Sequence, residues 1–351
     1  MLQLANSSFQ VLGNIQKYHN FTHVRRFYDL NTFELIIPSD IDTDYVKNNI
    51  ILYTFGTKVY PLVINNLHKS TDSKTTTVSG CSYSGIDRRS VVDVLHRNQV
   101  YGELTNNVST LMENLMISEC ISPFNGARTI PYLTNTTVVL GGTTTYQLSF
   151  QPLRTSLNEL SLFGDVGYEV YWTGTNVVFN CYQGNITPCV FSDSLNNLKN
   201  AVYVDGIEVN CTYSLASTNL VRYTTSDDTV SGMNRYEDTD QSSSTTTAVN
   251  EFENTIAEKR KQQSRITAEV LSSVYTYGTD FNVGDLITIE AYGKTFYQRV
   301  TEVIESYSQG EGTSYEIKVG YPLPLLEDKI REKFKYLDNY IYRVYKMAGG
   351  V

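Results

Sequence analysis

Short alternations of apolar and polar residues, the pattern of β-strands, fill the first hundred residues. The segment Phe33–Ile37 ends at Pro38, which has no N–H to donate to a neighbouring strand. The apolar run Ile50–Phe55 leads into Gly56, and the alternation resumes over residues 59–64. A glycine between two such runs is typical of a tight turn. The pattern therefore predicts a strand-rich region with a hairpin at Gly56.

The middle of the chain combines helical and strand patterns. Apolar residues recur at helical spacing over Glu103–Glu119, which predicts an amphipathic helix. A shorter helix is predicted from Leu153 to Gly164. Apolar residues then alternate on both sides of a turn at 173–176, which predicts a hairpin over residues 168–182.

The last third of the chain begins with a polar stretch and ends with an amphipathic pattern. Residues 224–247 are predicted to form a loop, and four strands are predicted before Gly320. Apolar residues then follow at spacings of three and four, which predicts a helix over Leu325–Met347. We interpret its apolar stripe as an assembly interface; the alternative is that it packs against the chain's own second strand region. The interface residues are Ile330, Phe334, Leu337, Ile341 and Val344.

Two distant segments align without a gap. Residues 50–63 match residues 287–300 at a constant offset (293 − 56 = 237), and residues 33–36 have a counterpart in 268–271. The matched residues of the hairpins are Gly56 with Gly293 and Tyr60 with Tyr297. Alternation and a turn glycine are common to many hairpins, which is the simpler explanation. The length of the match instead predicts a duplicated small β-barrel or sandwich.

Bulk composition narrows the class of protein. Hydrophobic residues make up 41% and charged residues 19% of the 351 residues, as in globular chains. The net charge of −9 argues against sequence-specific nucleic-acid binding, which needs a basic surface. No run of about 18 apolar residues and no N-terminal signal pattern occurs, so neither a membrane-spanning segment nor a secretion signal is predicted.

The five cysteines form no CxxC pair, and their odd number leaves at least one unpaired. They are Cys81, Cys120, Cys181, Cys189 and Cys211. We predict reduced, mostly buried thiols. A disulfide between Cys181 and Cys189 is the alternative that the spacing leaves open.

Candidate catalytic residues are few. The histidines lack metal-ligand spacing and are predicted to be surface or capping residues: His19, His23, His68 and His96. The carboxylates Glu302 and Glu305 are expected at a solvated strand edge rather than as a glycosidase pair. A local ion pair is expected within residues 87–89 (Asp-Arg-Arg). We therefore predict no catalytic, metal-binding or cofactor-binding residues.

Several motifs, in order along the chain, resemble the tail hub family of siphophages. They are FQVLG at 9–13, RRFY at 25–28, FELIIP at 33–38, VSGCSYSGIDRR at 78–89, FSDSLNNL at 191–198, DFNVGDLIT at 280–288 and RVTEV at 299–303. Their order and spacing, from Phe9 to Gly320, are more specific than any one of them. That family is similar to the trimeric hubs of contractile-tailed phages and related injection machines.

The resemblance implies a β-rich α+β protein with several domains. Two similar small, tail-tube-like β-barrel domains are expected at 1–98 and 196–320. An α+β insertion domain is expected between them at 99–195, and a C-terminal helical segment at 321–351.

The implied function is assembly rather than catalysis. The chain is expected to be a homotrimeric structural protein of a phage tail tip or baseplate, or of a tailocin or other phage-derived particle, made in the host cytoplasm. It would join a sixfold tail tube or distal tail ring to a threefold tip. The implied partners are a distal tail or tube protein and a spike, fibre or tape-measure protein.

Two functions of other classes stay open. A tail-associated cell-wall hydrolase would need a catalytic constellation in the insertion domain, where residues 97–351 contain no histidine. A carbohydrate-binding receptor protein would use Trp172 and the 27 tyrosines. Many siphophage relatives continue into peptidase, lysin or fibre-like modules, whereas this chain ends about thirty residues after Gly320. Chemistry at the tip is therefore expected on a partner chain.

Overall fold

Strands make up most of the secondary structure. The computed structural model describes residues 1–40, 49–70, 74–83, 86–98, 103–148, 150–185, 189–191, 203–205, 263–269, 275–291, 294–308 and 312–320. The described residues all belong to one compact unit, Met1–Gly320. The β-rich class expected from the sequence is confirmed, whereas the four domain boundaries stay predictions.

The described residues up to Ser82 form seven strands. They are β1 (Leu2–Ala5), β2 (Val11–Asn14), β3 (Asn20–Arg26), β4 (Thr32–Pro38), β5 (Ile50–Phe55), β6 (Lys58–Ser70) and β7 (Thr75–Ser82). Alternate residues of β3 and β4 are buried, as a strand with one face on a core requires. The predicted end of a strand at Pro38 and the hairpin at Gly56 are confirmed.

The next hundred residues mix helices and strands. The helices are α1 (Asp93–Asn98), α2 (Val108–Met116) and α3 (Leu153–Gly164), and a π-helical turn (Ile117–Ile121) continues α2. The strands are β8 (Glu103–Asn107), β9 (Leu133–Asn135), β10 (Thr143–Gln147), β11 (Gly167–Trp172) and β12 (Val177–Tyr182). No helix in these described ranges is long and apolar enough to cross a membrane.

The helix predicted over Glu103–Glu119 is wrong at its start. Residues 103–107 form β8, which pairs with the threonine-rich β10, and α2 begins only at Val108. Cross-strand pairing with a partner forty residues away overrides the local helical spacing. The helix predicted to stop at Gly164 is confirmed, as is the hairpin made by β11 and β12.

The remaining described strands follow from residue 189. They are β13 (Cys189–Phe191), β14 (Tyr203–Asp205), β15 (Gln263–Glu269), β16 (Leu286–Ala291), β17 (Lys294–Ser308) and β18 (Gly312–Gly320). Most strands join one sheet, whose main order is β14-β15-β18-β17-β3-β4-β7-β6-β11-β12-β9. Strand β3 therefore connects the N-terminal strands to the C-terminal ones.

Two sets of four strands share one pairing scheme. The first β unit is β4-β7-β6-β5 and the second β unit is β15-β18-β17-β16, with antiparallel neighbours throughout. The register of β6 against β7 shifts between Ile64 and Asn66, and that of β17 against β18 between Val300 and Glu302. A shared bulge at the same place is a stronger sign of repetition than alternation alone.

The residue-level alignment of the repeat needs correction by one position. Hairpin-closing pairs are Phe55 with Lys58 and Ala291 with Lys294, and the bulges also match at this offset (294 − 58 = 236; 300 − 64 = 236). Tyr60 and Tyr297 are therefore not equivalent. Tyr60 is 1% exposed and Tyr297 is 66% exposed. A slip of one residue exchanges the two faces of a strand, which explains the difference.

The predicted match of residues 33–36 with residues 268–271 also needs a different alignment. Phe33 lies opposite Gly80, Ile266 lies opposite Val319, and the bulge pairings make Gly80 and Val319 equivalent. Phe33 therefore corresponds to Ile266, rather than to Ala268 as the sequence predicted. The pairing of β4 with β7 and of β15 with β18 defines this correspondence, whereas similar side chains alone can be aligned in more than one register.

The described residues form three apolar clusters. The first β unit encloses one that includes Phe21, Leu35, Ile51, Leu62 and Val78. The second β unit encloses another that includes Phe281, Ile287, Val300 and Ile317, together with Phe27 from the turn after β3. The largest lies under α2 and α3 and includes Met112, Leu157 and Phe179.

Gly80 occupies the point where β6 bends over β7. A Cβ atom added there would lie 1.8 Å from the carbonyl oxygen of Val63 and 2.9 Å from the Phe33 ring. The obstacle at 1.8 Å is main chain, so it cannot move aside as a flexible side chain would.

We predict that Gly80→Ala lowers the free energy of unfolding by about 1–3 kcal/mol, because the added methyl forces the bend apart. Gly13→Ala is the matched control, since a Cβ there meets nothing within 4 Å. It should change stability by less than about 0.5 kcal/mol. Urea unfolding of both variants checks this, and equal effects would contradict the steric argument.

Candidate functional site: a buried charged seam between the two β units

Strands β3 and β17 pair antiparallel over seven residues, from Arg26 opposite Glu302 to Asn20 opposite Ser308. We call the charged and tyrosine side chains gathered at this junction the seam cluster. Its members are His23, Arg25, Arg26, Tyr53, Tyr60, Glu169, Tyr277, Glu302, Glu305 and Tyr307. They come from β3, β5, β6, β11, β17 and the segment before β16. The seam cluster therefore joins distant parts of the chain.

His23 and Glu305 form the centre of the seam cluster. Both side chains are fully buried, and Nδ1 of His23 lies 3.4 Å from Oε2 of Glu305. The hydroxyl of Tyr53 donates to the same carboxylate oxygen at 2.7 Å, and the Tyr307 hydroxyl lies 2.7 Å from that of Tyr53. A buried carboxylate is stable only with such partners.

Burial and charge set the protonation of this pair. Burial of the imidazole lowers the pKa of His23, and it outweighs the hydrogen bond and charge of Glu305, which act to raise it. Burial alone would raise the pKa of Glu305, but His23, the Arg25 charge and the Tyr53 hydrogen bond lower it on balance. At neutral pH the seam therefore holds a neutral histidine beside an ionised glutamate.

Arg25 lies in a cage of aromatic rings. Its guanidinium carbon lies 5.0 Å from the ring centre of Tyr60, 5.4 Å from that of Phe55 and 5.8 Å from that of Tyr277. It also donates to the Tyr277 hydroxyl at 2.7 Å and lies 3.9 Å from the Glu169 carboxylate. Ring faces and a carboxylate together replace the water that a buried cation loses.

On the opposite face of the same strands, Arg26 and Lys318 bind Glu302. Nε of Arg26 donates to the carboxylate at 2.9 Å, and Lys318 forms a close ion pair with its other oxygen. These positive neighbours lower the pKa of Glu302, against a burial effect that would raise it. Each of the two strands thus presents charges on both faces.

Two further ion pairs tie the helical region to the junction. Arg154 of α3 binds Asp29 through two nitrogens, at 2.6 and 2.5 Å. Arg299 of β17 forms a two-nitrogen ion pair with Asp165, the left-handed residue that ends α3. The same guanidinium lies 4.9 Å above the Phe27 ring. Paired nitrogen contacts of this kind fix orientation as well as distance.

The expectations for the two glutamates were wrong. Glu305 is fully buried and Glu302 is only partly exposed, because β3 covers the edge of β17 that was expected to face solvent. The two residues are three apart on one strand, so their side chains point to opposite faces. They cannot flank one substrate as a glycosidase pair must.

His23 was also misjudged, since it is buried rather than a surface or capping residue. The alternation of β3 carries the missed signal, because His23 and Arg25 share a face with the buried Phe21. His68, by contrast, is exposed as expected. Within the described part of the chain, His, Cys, Asp and Glu side chains form no group of three able to hold a metal ion.

Three of the cysteines are buried, and Trp172 packs against the apolar core. Cys81, Cys120 and Cys181 are free and buried, as predicted. Burial raises the pKa of Cys81 to about 11. Trp172 is half-buried and stacks on Phe9 at 4.0 Å, as a residue packed on the core does.

The local ion pair expected within residues 87–89 does not form. Instead of a local ion pair, Arg88 donates to the Asn65 side chain at 2.5 Å and Arg89 to the Arg128 carbonyl at 3.0 Å. The predicted interface residues Ile330, Phe334, Leu337, Ile341 and Val344 lie outside the described residues.

The protonation of the seam predicts a pH-dependent stability. The pKa of His23 is lower in the folded chain than the value of 6.5 expected when unfolded, so the unfolded chain binds the proton first as pH falls. Its contribution is complete above pH 6.5 and declines below it, by up to about 1.4 kcal/mol per pH unit. The lowered pKa of Glu305 adds a further loss below its unfolded value of 4.5.

Urea unfolding between pH 7.5 and 5 tests this. The wild-type curve should fall more steeply with decreasing pH than that of His23→Gln, whose side chain does not titrate. The exposed His68→Gln is the control and should keep the wild-type slope. Parallel curves for wild type and His23→Gln would contradict the assignment.

Comparison with solved structures identifies the same fold in phage tail proteins. A tail protein from Neisseria meningitidis MC58 matches with a TM-score of 0.56 and 12% identity, covering 91% of this chain and 96% of that one. The 43 kDa tail protein of prophage MuSo2 from Shewanella oneidensis gives 0.55 and 12%, covering 91% and 97%. Prophage tail protein gp18 from Listeria monocytogenes EGD-e gives 0.56 and 10%, covering 96% and 99%.

No curated protein matches this sequence. The family described as Siphovirus ReqiPepy6 Gp37-like protein matches over residues 1–212 and 216–321, which is most of the chain. The resemblance to a siphophage tail and baseplate family is thereby confirmed. The chain belongs to the Siphovirus ReqiPepy6 Gp37-like family and has the fold of phage tail proteins.

Proposed function

We propose that this chain is a structural hub subunit of a phage tail tip or baseplate. Three copies form a ring that joins the sixfold tail tube or distal tail ring to a threefold spike or fibre. The subunit acts by assembly and catalyses no reaction. Its partners are the distal tail or tube protein on one side and the tip or tape-measure protein on the other.

One observation supports this proposal more than any other: the chain carries two β units with the same strand pairing and the same bulge. Three chains would therefore present six similar units. A ring of this kind matches a sixfold partner through its units and a threefold partner through its whole chains. We infer that each unit is part of one of the two tube-like β-barrel domains that the resemblance implies.

The seam cluster supports a mechanical role. Its charged groups are buried between strands and bind one another. The central pair is closed to solvent, although Nε2 of His23 and Oε1 of Glu305 have no hydrogen-bond partner among the described residues. Buried ion pairs of this kind hold an arrangement in place, whereas a catalytic group must reach a substrate. We infer that the seam cluster holds the two β units of a chain in fixed orientation under the load of the tail.

Light scattering after size-exclusion chromatography tests the oligomeric state. We expect a species of about three times the 39.7 kDa chain mass, alone or after addition of the distal tail protein. Trimerisation should rise with protein concentration, since the ring forms by mass action. A monomer under all these conditions, including with the tail partner, would contradict the hub function.

The C-terminal stripe provides a second test. We predict that Phe334→Ser together with Leu337→Ser weakens assembly into tails, because burying each apolar side chain contributes about 1.5–3 kcal/mol. Thermal unfolding of the strand region should not change. The matched control replaces Lys333 and Lys335, which lie off the stripe, by Ser. Full incorporation of the apolar double variant would exclude the stripe as an assembly interface.

A further inference from the structure

A pocket of about 310 Å³ lies beside the seam cluster, and two members of that cluster, Tyr53 and Tyr307, line it. Its other walls come from β1, β2, β3 and the segment before β3. None of the described residues that line it carries a charged side chain, although Met1 adds the N-terminal ammonium group. The volume is at the lower end of the range for small-molecule sites, so the pocket suits a single ring.

Aromatic rings form the inner wall. Phe21 and Tyr53 are 1% and 3% exposed, and their ring centres lie 5.0 Å apart. The Tyr307 ring lies 6.0 Å from that of Phe21, with the two planes inclined by 27°. Tyr18 is half-buried and lines the same space. Rings of this kind offer flat apolar faces against which the C–H groups of a small ligand can pack.

The ionised Glu305 sets the direction of the hydrogen bonds behind this wall. A carboxylate only accepts hydrogen bonds, so the Tyr53 hydroxyl donates to it at 2.7 Å. That hydroxyl has a single hydrogen, so Tyr307 is the donor in the 2.7 Å contact between the two tyrosine hydroxyls. The oxygen of Tyr307 therefore retains lone pairs but no hydrogen. A ligand that bonds to it must donate.

Two amide side chains lie at the outer part of the pocket. Asn14 and Gln16 both line it and are both exposed. Each amide supplies N–H donors and a carbonyl acceptor. The pocket thus combines flat apolar walls, an acceptor at Tyr307, and both donors and acceptors close to solvent.

We propose that this pocket binds one neutral sugar ring, a pyranose. Its C–H groups pack on the aromatic wall, one hydroxyl donates to Tyr307, and others bond to the amides of Asn14 and Gln16. An apolar ring would leave these polar groups unpaired, which weakens binding. An anionic ligand would find no cationic side chain among the lining residues, and the Met1 ammonium already donates to the Thr54 carbonyl at 3.4 Å. The site goes beyond the proposed assembly function and does not depend on it.

Saturation-transfer NMR on the full chain tests the site. The probes are glucose, galactose, mannose and N-acetylglucosamine, each as the free sugar and as its methyl glycoside. We expect transfer to the ring C–H protons and a dissociation constant on the order of 1 mM for a ligand of this size. Binding of a methyl glycoside indicates a sugar linked in a polysaccharide, whereas binding of free sugars alone indicates a soluble one. The purely aromatic 4-methylphenol is measured beside them.

Variants connect binding to the pocket. Tyr307→Phe keeps the ring but removes the acceptor, and Gln16→Ala removes an amide, so each should weaken binding about three- to tenfold. Lys17→Ala is the control for Gln16, because Lys17 is exposed and does not line the pocket. Tyr297→Phe is the control for Tyr307, because Tyr297 is 66% exposed and lies outside the pocket. Circular dichroism and thermal unfolding verify that each variant folds.

The outcomes decide the proposal. Transfer to a sugar that falls in Tyr307→Phe and Gln16→Ala, but not in the two controls, supports the site. Transfer that the pocket variants leave unchanged, transfer to 4-methylphenol alone, or no transfer to any sugar would overturn it. The oligomeric state of the same samples tests the hub proposal separately, so either proposal can fail without the other.

Discussion

The pairing of β3 with β17 is the interaction on which the rest of the structure depends. It joins residues about 280 positions apart and makes one sheet of two β units that would otherwise be separate. Loop closure over that distance costs entropy, which the contact must offset. The main-chain ladder is supplemented by His23–Glu305 on one face and Arg26–Glu302 on the other. Removing one partner of a buried pair would leave a charge without solvent or counter-charge, which costs more than the pair itself contributes.

The helical region reinforces this junction. α3 holds Asp29 in the turn after β3 through Arg154, and its terminal Asp165 holds Arg299 of β17. Both contacts flank Phe27, whose ring is buried in the second apolar cluster. The closeness of Gly167 and Gly284 to this ring, where any Cβ would lie within 3 Å, shows how tightly the turn is packed. Three parts of the chain therefore meet at one aromatic side chain.

The sequence predicts local features well and distant ones poorly. Pro38, the Gly56 turn and the Leu153–Gly164 helix depend on neighbouring residues, and all are confirmed. Glu302 and Glu305 were expected to be solvated because the strand that covers them lies at the other end of the chain. The alternation in β3 could have indicated that His23 and Arg25 face a core, but it does not identify their partners. The similarity of residues 50–63 to residues 287–300 was visible in the sequence, yet the register that relates the two β units required the observed bulges.

The two β units differ at the edges of their corresponding strands, β6 and β17. The covered edge of β17 carries Glu305, which is tolerated because His23 and Tyr53 bind it. The corresponding position of β6 carries Lys69, which remains in water. No strand in the described part of the chain pairs with β5's side of β6 at this position. A lysine on such an edge is a common protection against indiscriminate strand pairing. Protein partners therefore stabilise the buried charge of Glu305 at the junction of β3 and β17, whereas solvent stabilises the charge of Lys69 on β6.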